Sequence, residues 1–192
     1  HAIENTMPAF QAAVSAGAAY IETDARLTRD GIAVLFHDES LERLTGSKAL
    51  LAELSYEELQ NLRDVSGQEF SVPSLTEVLA VFPETRFNID IKTREAVIPV
   101  CFSVRDTQAQ SRVLLTTFSD RTSRAITSEL PHVARSAASV ATFSAVLALR
   151  LGLSSVARFI LRGIAAVQIP RRMLGLRADS SSLTFLHGEH RA

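Results

Sequence analysis

Short runs rich in β-branched residues alternate with amphipathic stretches along this chain, and this alternation is the strongest constraint on its fold. It is typical of a repeating βα architecture with a mostly parallel sheet. We predict strands at six segments: residues 18–28, 32–36, 86–92, 112–118, 133–138 and 165–169. No linker rich in proline, glycine or serine separates them, and 192 residues are enough for one well-buried domain. The pattern therefore predicts a single α/β domain over residues 1–192.

Helix start signals lie between the predicted strands. Asn5 or Thr6 can cap a first helix. Ser55 and Ser74 are each followed three residues later by a glutamate, which is the pattern of a capping box. The later predicted helices cover residues 55–63, 73–82, 94–108, 120–130, 142–151, part of 154–163, and 180–187.

The first two predicted strands are too close in sequence for a helical crossover, which needs about a dozen residues. Asp30-Gly31 lies between them and is a strong signal for a β-hairpin. If these are the two turn residues, the pairing places Asp24 opposite His37. We therefore predict a local hairpin inside the βα repeat.

Six strands are fewer than a closed TIM (β/α)₈ barrel requires, since that fold has eight strands over roughly 250 residues. The chain also begins and ends on a predicted helix. We therefore expect an incomplete TIM-type barrel whose first and last strands lie outside this sequence.

Three carboxylates are candidates for holding a metal ion. Glu22 and Asp24 are two residues apart, so on a strand they project from the same face, and their repulsion must be relieved by a cation or by protonation of one of them. Asp90 lies inside an apolar strand, where an unpartnered carboxylate is strongly disfavoured. Oxygen ligands of this kind suit Mg²⁺ or Ca²⁺. The alternatives are a solvated strand face for the first pair and a simple ion pair between Asp90 and Lys92.

His37 and Lys92 extend this set. His37 follows an apolar strand, and an imidazole can act as acid or base near neutral pH. A structural histidine is the alternative. Lys92 shares the face of Asp90, and a lysine ammonium group suits a phosphate. Together the five residues predict a metal-assisted phosphodiester site at the ends of the strands.

The charge is distributed unevenly along the chain. Residues 121–192 contain ten arginines and three carboxylates, a net charge of +7, so residues 1–120 carry −8. The basic part could attract phosphate headgroups or an anionic membrane surface, giving peripheral membrane contact. The alternative is that these arginines cover solvated helix faces.

Several classes of protein are excluded or disfavoured by composition. No basic run is interleaved with aromatic residues, so nucleic-acid binding has little support. The most apolar stretch, residues 144–169, is interrupted by three arginines, too many for a membrane span. The single Cys101 predicts a fold that does not depend on an oxidising compartment, which favours the cytoplasm. The start at His1, without a methionine, leaves secretion open.

Five segments resemble, in order and spacing, the glycerophosphodiester phosphodiesterase family. The resemblance is dense over residues 4–119 and looser, but collinear, to about Ile169. The segments are Glu4-Asn-Thr6, Tyr20-Ile-Glu-Thr-Asp24, Leu27-Thr-Arg-Asp-Gly31, Val34-Leu-Phe-His-Asp38 and Phe87-Asn-Ile-Asp-Ile-Lys92.

The resemblance implies a TIM barrel with its site at the C-terminal mouth. The implied reaction is the hydrolysis of a glycerophosphodiester, a small-molecule substrate, to glycerol 3-phosphate and an alcohol. By position, Glu22, Asp24 and Asp90 are similar to the ligands of one divalent cation, Mg²⁺ or Ca²⁺. His37 is similar to a catalytic histidine and Lys92 to the phosphate-binding lysine. Members of the family often have glutamate at the position of Asp90.

One family motif is missing from this chain. The family carries His-Arg-Gly on its first barrel strand, several residues before Glu-Asn-Thr. His1 is only three residues before Glu4 and is not followed by Arg-Gly, so we do not assign it that role. The resemblance thus implies a fragment without one catalytic histidine, and we expect these 192 residues by themselves to be inactive. Two alternatives are a phospholipase-D-like enzyme acting on lysophospholipid or sphingomyelin, and a non-catalytic metal- or phosphate-binding module.

Overall fold

The computed structural model of the protein describes residues 2–167 and 184–185. Its helices are α1 (Met7–Ser15), α2 (Glu42–Thr45), α3 (Leu75–Val81), α4 (Val97–Asp106), α5 (Asp120–Glu129), α6 (Ser139–Arg150) and α7 (Ser154–Ile160), with 3₁₀ turns at Leu51–Glu53 and Glu57–Leu59. Its strands are β1 (Tyr20–Leu27), β2 (Ala33–Leu35), β3 (Leu62–Arg63), β4 (Glu69–Phe70), β5 (Arg86–Ile91), β6 (Val113–Thr116), β7 (Ala134–Ala137), β8 (Ala166–Val167) and β9 (Thr184–Phe185).

The main sheet of the described residues is mostly parallel, in the order β2-β1-β5-β6-β7-β8-β9. Strands β1, β5, β6, β7 and β8 run parallel to one another, while β2 and β9 pair antiparallel at the two ends. Helices connect the parallel strands after β5, as the sequence pattern predicts. This confirms the α/β prediction and all six predicted strand positions. Over residues 2–167 and 184–185 the sheet stays open and does not close into a barrel.

Strand β5 presents a different chemistry on each of its faces. Phe87, Ile89 and Ile91 are fully buried in the main apolar core, which lies between the sheet and the helices. Phe10 of α1 packs edge-on against Phe87, with 6.1 Å between the ring centroids. The alternate positions Asn88 and Asp90 project from the opposite face, because successive side chains of a strand alternate. The polar face of β5 is therefore the one that a ligand can approach.

The two capping-box sequences have different outcomes. Helix α3 begins as predicted, with Ser74 and Glu77 exchanging both hydrogen bonds of the box. Ser55 and Glu58 also exchange them, at 2.7 and 3.3 Å, yet the predicted helix over 55–63 is wrong beyond a single 3₁₀ turn. Its C-terminal part instead forms β3 and pairs with β4. The capping box at Ser55 therefore starts a helical turn as predicted, but pairing of β3 with β4 prevents the helix from continuing.

The hairpin is confirmed, but its predicted register is wrong by one residue. Ala25 pairs with Leu35, and the backbone N–H of Phe36 donates to the carbonyl of Asp24 (2.9 Å), so Asp24 lies opposite Phe36 and not His37. The loop has three residues, ending at Gly31 with φ of +82°. A three-residue loop that ends in a left-handed glycine is a common hairpin connection and shifts the register relative to a two-residue turn.

The predicted helix over residues 180–187 is wrong at residues 184 and 185, the part of it that the structure describes. Thr184–Phe185 is strand β9, which pairs antiparallel with β8. The rest of that predicted helix lies outside the described residues, as do residues 168 and 169 of the last predicted strand. In the described part of the chain, no helix has the length and apolar character needed to cross a membrane.

We expect Leu79→Ala to lower the free energy of unfolding by about 3 kcal/mol, because it leaves a cavity at a fully buried position of α3. Val81→Ala, on the same helix but 54% exposed, is the matched control and should change it by less than about 0.5 kcal/mol. Urea denaturation followed by circular dichroism measures both. Equal effects of the two substitutions would contradict the assigned packing of α3.

Candidate active site

A cavity of about 400 Å³ lies on the polar face of β1 and β5. All five residues that the sequence predicts for the site line it. The complete lining is Glu4, Asn5, Glu22, Asp24, His37, Asp90, Lys92 and Phe118. The structure therefore brings together residues that are up to 70 positions apart in the sequence, from Glu22 to Lys92.

The pairing of β1 with β5 brings the carboxylates together. Asp24 is the direct partner of Asp90 across the parallel pair, and Glu22 is the partner of Asn88. Glu22 and Asp24 share one strand face with Asn88 and Asp90, since both pairs are two residues apart. Like charges directly opposite each other on neighbouring strands are destabilising. Asp24 and Asp90 therefore need a cation between them.

Lys92 supplies that positive charge. Its Nζ lies 2.7 Å from Asp24 Oδ1 and 2.6 Å from Asp90 Oδ2. Its backbone N–H donates to the carbonyl of Ala25 (3.1 Å), which extends the pairing of the two strands to the base of the side chain. Burial tends to lower the pKa of Lys92, but the hydrogen bonds to Asp24 and Asp90 outweigh it and raise the pKa above its ordinary value. Lys92 is thus an ammonium ion held between two carboxylates.

Asn5 holds the other oxygen of Asp24. Its Nδ2 donates to Asp24 Oδ2 (3.3 Å), and its Oδ1 accepts from the hydroxyl of Thr23 (2.7 Å). Asn5 adopts a left-handed backbone conformation with φ of 56°, which asparagine tolerates better than most residues. The sequence suggested Asn5 or Thr6 as a helix cap. The helix in fact begins after Thr6, whose side chain makes no cap bond, so Asn5 is free for the site.

His37 is oriented from two sides. Its Nδ1 lies 2.8 Å from Asp38 Oδ1, and its carbonyl accepts two hydrogen bonds from Arg26, at 3.0 and 2.9 Å. When Nδ1 donates to Asp38, Nε2 is the ring nitrogen left to exchange a proton with a ligand. The imidazole side chain is 56% exposed, so a ligand can reach it.

Arg43 completes a chain of charged contacts behind His37. Its guanidinium donates to Asp38 and to Glu4, which also lines the cavity. Burial tends to raise the pKa of Asp38, but hydrogen bonds from His37 and Arg43 outweigh it and hold the pKa below its ordinary value. Asp38 is therefore ionised at neutral pH and can fix the orientation of the imidazole. Arg43 and Glu4 were not predicted from the sequence as site residues.

The three predicted metal ligands share one cavity but do not converge on one point. Within the described residues, no group of three or more acidic, histidine or cysteine side chains is placed to hold a metal ion. Asp24 and Asp90 both contact the Lys92 ammonium group, whereas Glu22 contributes to the lining only. The arrangement nevertheless accommodates a positive charge between the two aspartates, and Lys92 stands in for it here.

Comparisons with known proteins identify relatives of this chain. Residues 1–142 match the model of the glycerophosphoryl diester phosphodiesterase family. The chain is 37% identical over 173 residues to the probable glycerophosphodiester phosphodiesterase 2 of Mycobacterium tuberculosis, a match that covers 90% of this chain and 65% of that protein. It is also 38% identical over 107 residues to the lysophospholipase D GDPD1 of Homo sapiens, over 50% of this chain and 34% of that protein.

A solved structure gives the same result for the fold. The phosphodiesterase of Oleispira antarctica, in complex with the product sn-glycerol-3-phosphate, superposes with a TM-score of 0.63 at 26% identity, over 69% of this chain and 59% of that one. The likeness confirms the predicted fold class, that of the TIM-type (β/α)₈ barrel enzymes. The chain spans less than two thirds of the length of each of these relatives.

We expect Asp38→Asn to lower the free energy of unfolding by about 1 kcal/mol at neutral pH, because a neutral amide attracts Arg43 less strongly. The pKa of Asp38 is depressed in the folded state, so its stabilising effect is present above the ordinary value of 3.8 and is lost as the pH falls through the folded-state pKa. Urea denaturation at several pH values measures this.

The same substitution made in an Arg43→Gln background should have a smaller effect, since the shared ion pair is already broken. A difference between Asp38→Asn and the parent protein that does not shrink below pH 3.8 would contradict the ionised role of Asp38.

Proposed function

Because this chain belongs to the glycerophosphoryl diester phosphodiesterase family, we propose that the protein hydrolyses glycerophosphodiesters to glycerol 3-phosphate and an alcohol. The observation that carries the proposal is the convergence of His37, Lys92, Glu22, Asp24 and Asp90 on one cavity. An acid–base group, a phosphate-binding cation and a set of carboxylates are what metal-assisted hydrolysis of a phosphodiester needs. The relative from Oleispira antarctica, which holds sn-glycerol-3-phosphate, supports this choice of substrate.

Lys92 binds the phosphate in this proposal. Its ammonium group lines the cavity and is kept protonated by Asp24 and Asp90. A non-bridging oxygen of the phosphodiester would accept a hydrogen bond from Nζ. Charge that develops on the phosphoryl oxygens during hydrolysis is stabilised by a fixed cation of this kind.

His37 exchanges the proton. Through Nε2 it gives a proton to the leaving alcohol oxygen or takes one from the attacking water, while Asp38 holds Nδ1. The family resemblance implies a second histidine for the other half of this exchange. Among the described residues that line the cavity, His37 is the only histidine.

The donor set fits a divalent cation, Mg²⁺ or Ca²⁺. Glu22, Asp24 and Asp90 offer hard oxygen ligands, and the contacts of Lys92 Nζ with both aspartates indicate that a cation is accommodated between them. When bound, such a cation supplies charge neutralisation at the phosphoryl group. Because Lys92 contacts both aspartates, its ammonium group has to move toward the substrate for the ion to take that place.

We expect Lys92→Met to bind Mg²⁺ or Ca²⁺ more tightly than the parent protein, because the ammonium group no longer competes for Asp24 and Asp90. The gain should be roughly tenfold in affinity, the factor that ~1.4 kcal/mol represents. Glu22→Gln should weaken the binding. Isothermal titration calorimetry with each metal chloride measures these affinities without any turnover.

Lys48→Met is the matched control, since Lys48 is exposed and does not line the cavity, and it should leave the affinity unchanged. Circular dichroism of each variant shows that the fold is retained. The cation assignment is wrong if neither metal binds to the parent protein or to Lys92→Met.

A second candidate is a lysophospholipase D activity. The observation that favours it is the match to the human lysophospholipase D, together with Phe118, an apolar side chain that lines the cavity and is 52% exposed. An acyl chain near the phosphate could pack against such a side chain. Turnover of soluble glycerophosphocholine, compared with that of lysophosphatidylcholine, distinguishes the two substrates.

In the whole protein, we expect His37→Gln to lower kcat for the preferred substrate by a factor of about 10²–10⁴, the range typical of losing a general acid or base. Glu22→Ala and Asp90→Ala should abolish metal-dependent hydrolysis. His132→Gln, at an exposed position outside the cavity, is the control and should retain activity. Choline release measures turnover of both choline-containing substrates. Full activity in His37→Gln would overturn the assigned chemistry.

A further inference from the structure

Half of the large apolar side chains that are exposed in residues 2–167 lie in the two-helix segment formed by α6 and α7. On α6 and its C-cap, four of them lie three or four residues apart and form one face: Val140, Phe143, Leu147 and Leu151. We call these four, together with Val156 and Phe159 of α7, the apolar stripe; its residues are exposed by between 46% and 75%.

The helices pack on each other through a different face. Ala145, Ala148 and Ala157 form a buried cluster between α6 and α7, with Ile160 and Leu161 against it. Alanines let the helices approach closely while the larger apolar side chains point outward. A contiguous group of exposed large apolar side chains indicates an interaction surface.

The charged residues within the α6–α7 segment itself are all positive. Residues 139–165 contain Arg150, Arg158 and Arg162 and no aspartate or glutamate. All three arginines are exposed. Helices that combine apolar residues with arginines and have no acidic residues are typical of segments that lie in the interface of an anionic membrane.

The stripe begins beside the cavity. The hydroxyl of Ser139 donates to the carbonyl of Phe118 (2.7 Å), and the backbone N–H of Val140 donates to Asp120 Oδ2 (3.3 Å). Phe118 itself lines the cavity and is exposed. These two hydrogen bonds hold the N-terminus of α6 beside Phe118 at the edge of the cavity. The apolar stripe begins there, at Val140.

We propose that the apolar stripe docks this protein onto an anionic phospholipid membrane, with the arginines contacting lipid phosphates. A second copy of the chain is a poorer occupant, because residues 139–165 carry three arginines and no carboxylate of their own to neutralise the arginines of the other copy. A membrane supplies both the apolar layer and the negative charge. Docking in this way places the rim of the cavity, at Phe118, next to the lipid headgroups.

The proposal goes beyond the proposed hydrolysis and is tested without turnover, by flotation of the whole chain with phospholipid vesicles. The protein should float with vesicles of phosphatidylcholine containing phosphatidylglycerol and bind pure phosphatidylcholine vesicles much more weakly. Added salt should weaken the binding, since surface charges are screened. Phe143→Ser/Leu147→Ser should lower the vesicle partition coefficient by at least about tenfold.

Two further variants separate the contribution of the arginines to vesicle binding from that of exposed apolar side chains in general. Arg150→Gln/Arg158→Gln/Arg162→Gln should lower binding to the anionic vesicles by roughly fivefold per arginine. Ile98→Ser/Phe102→Ser is the matched control, since both side chains are exposed on α4, and it should leave vesicle binding unchanged. Circular dichroism confirms that each variant is folded.

Three results would overturn the proposal. One is a parent protein that does not float with the anionic vesicles. Another is vesicle binding that is unchanged by the substitutions in the stripe and in its arginines. The third is self-association, detected by sedimentation equilibrium, that Phe143→Ser/Leu147→Ser abolishes while vesicle binding persists, because the stripe would then be an interface between copies.

Discussion

The ammonium group of Lys92, held between two aspartates, is the interaction on which the centre of this structure depends. Parallel pairing of β1 with β5 places Asp24 directly beside Asp90, and both side chains are removed from most of the solvent. Two such carboxylates without a counter-charge would destabilise the pair of strands that joins the hairpin to the rest of the sheet. The same contact that stabilises the fold therefore also sets the charge of the cavity lining.

The strands serve packing and chemistry on opposite faces. In β5, Phe87, Ile89 and Ile91 belong to the apolar core, whereas Asn88 and Asp90 face the polar side. Because the period of a strand is two residues, a shift of one position in its pairing would bury the carboxylates in the core. The apolar core thus determines the register that brings the site residues together. The same packing therefore both stabilises the sheet and positions the residues of the cavity.

Local sequence signals predicted where helices and turns begin better than they predicted how far each helix or strand extends. Ser74 and Ser55 open equally good capping boxes, but only the first is followed by an α-helix, because residues after the second pair with β4. In the hairpin, Asp30-Gly31 correctly marked the turn, yet the register depended on a loop of three residues ending at Gly31. The sequence predicts Asn5 as a possible helix cap. In the structure Asn5 instead donates a hydrogen bond to Asp24, a side chain on strand β1 that no local pattern around Asn5 could indicate.

The sequence by itself determined the βα alternation, the six predicted strand positions and five of the eight residues that line the cavity, because periodicity and strand-end chemistry are local properties. Only the tertiary structure decided that Lys92 bridges Asp24 and Asp90 and that Arg43 ties Asp38 to Glu4. Those contacts join segments far apart in the chain. Their geometry follows from strand register and helix placement, which the packing of the whole domain sets and no local pattern encodes.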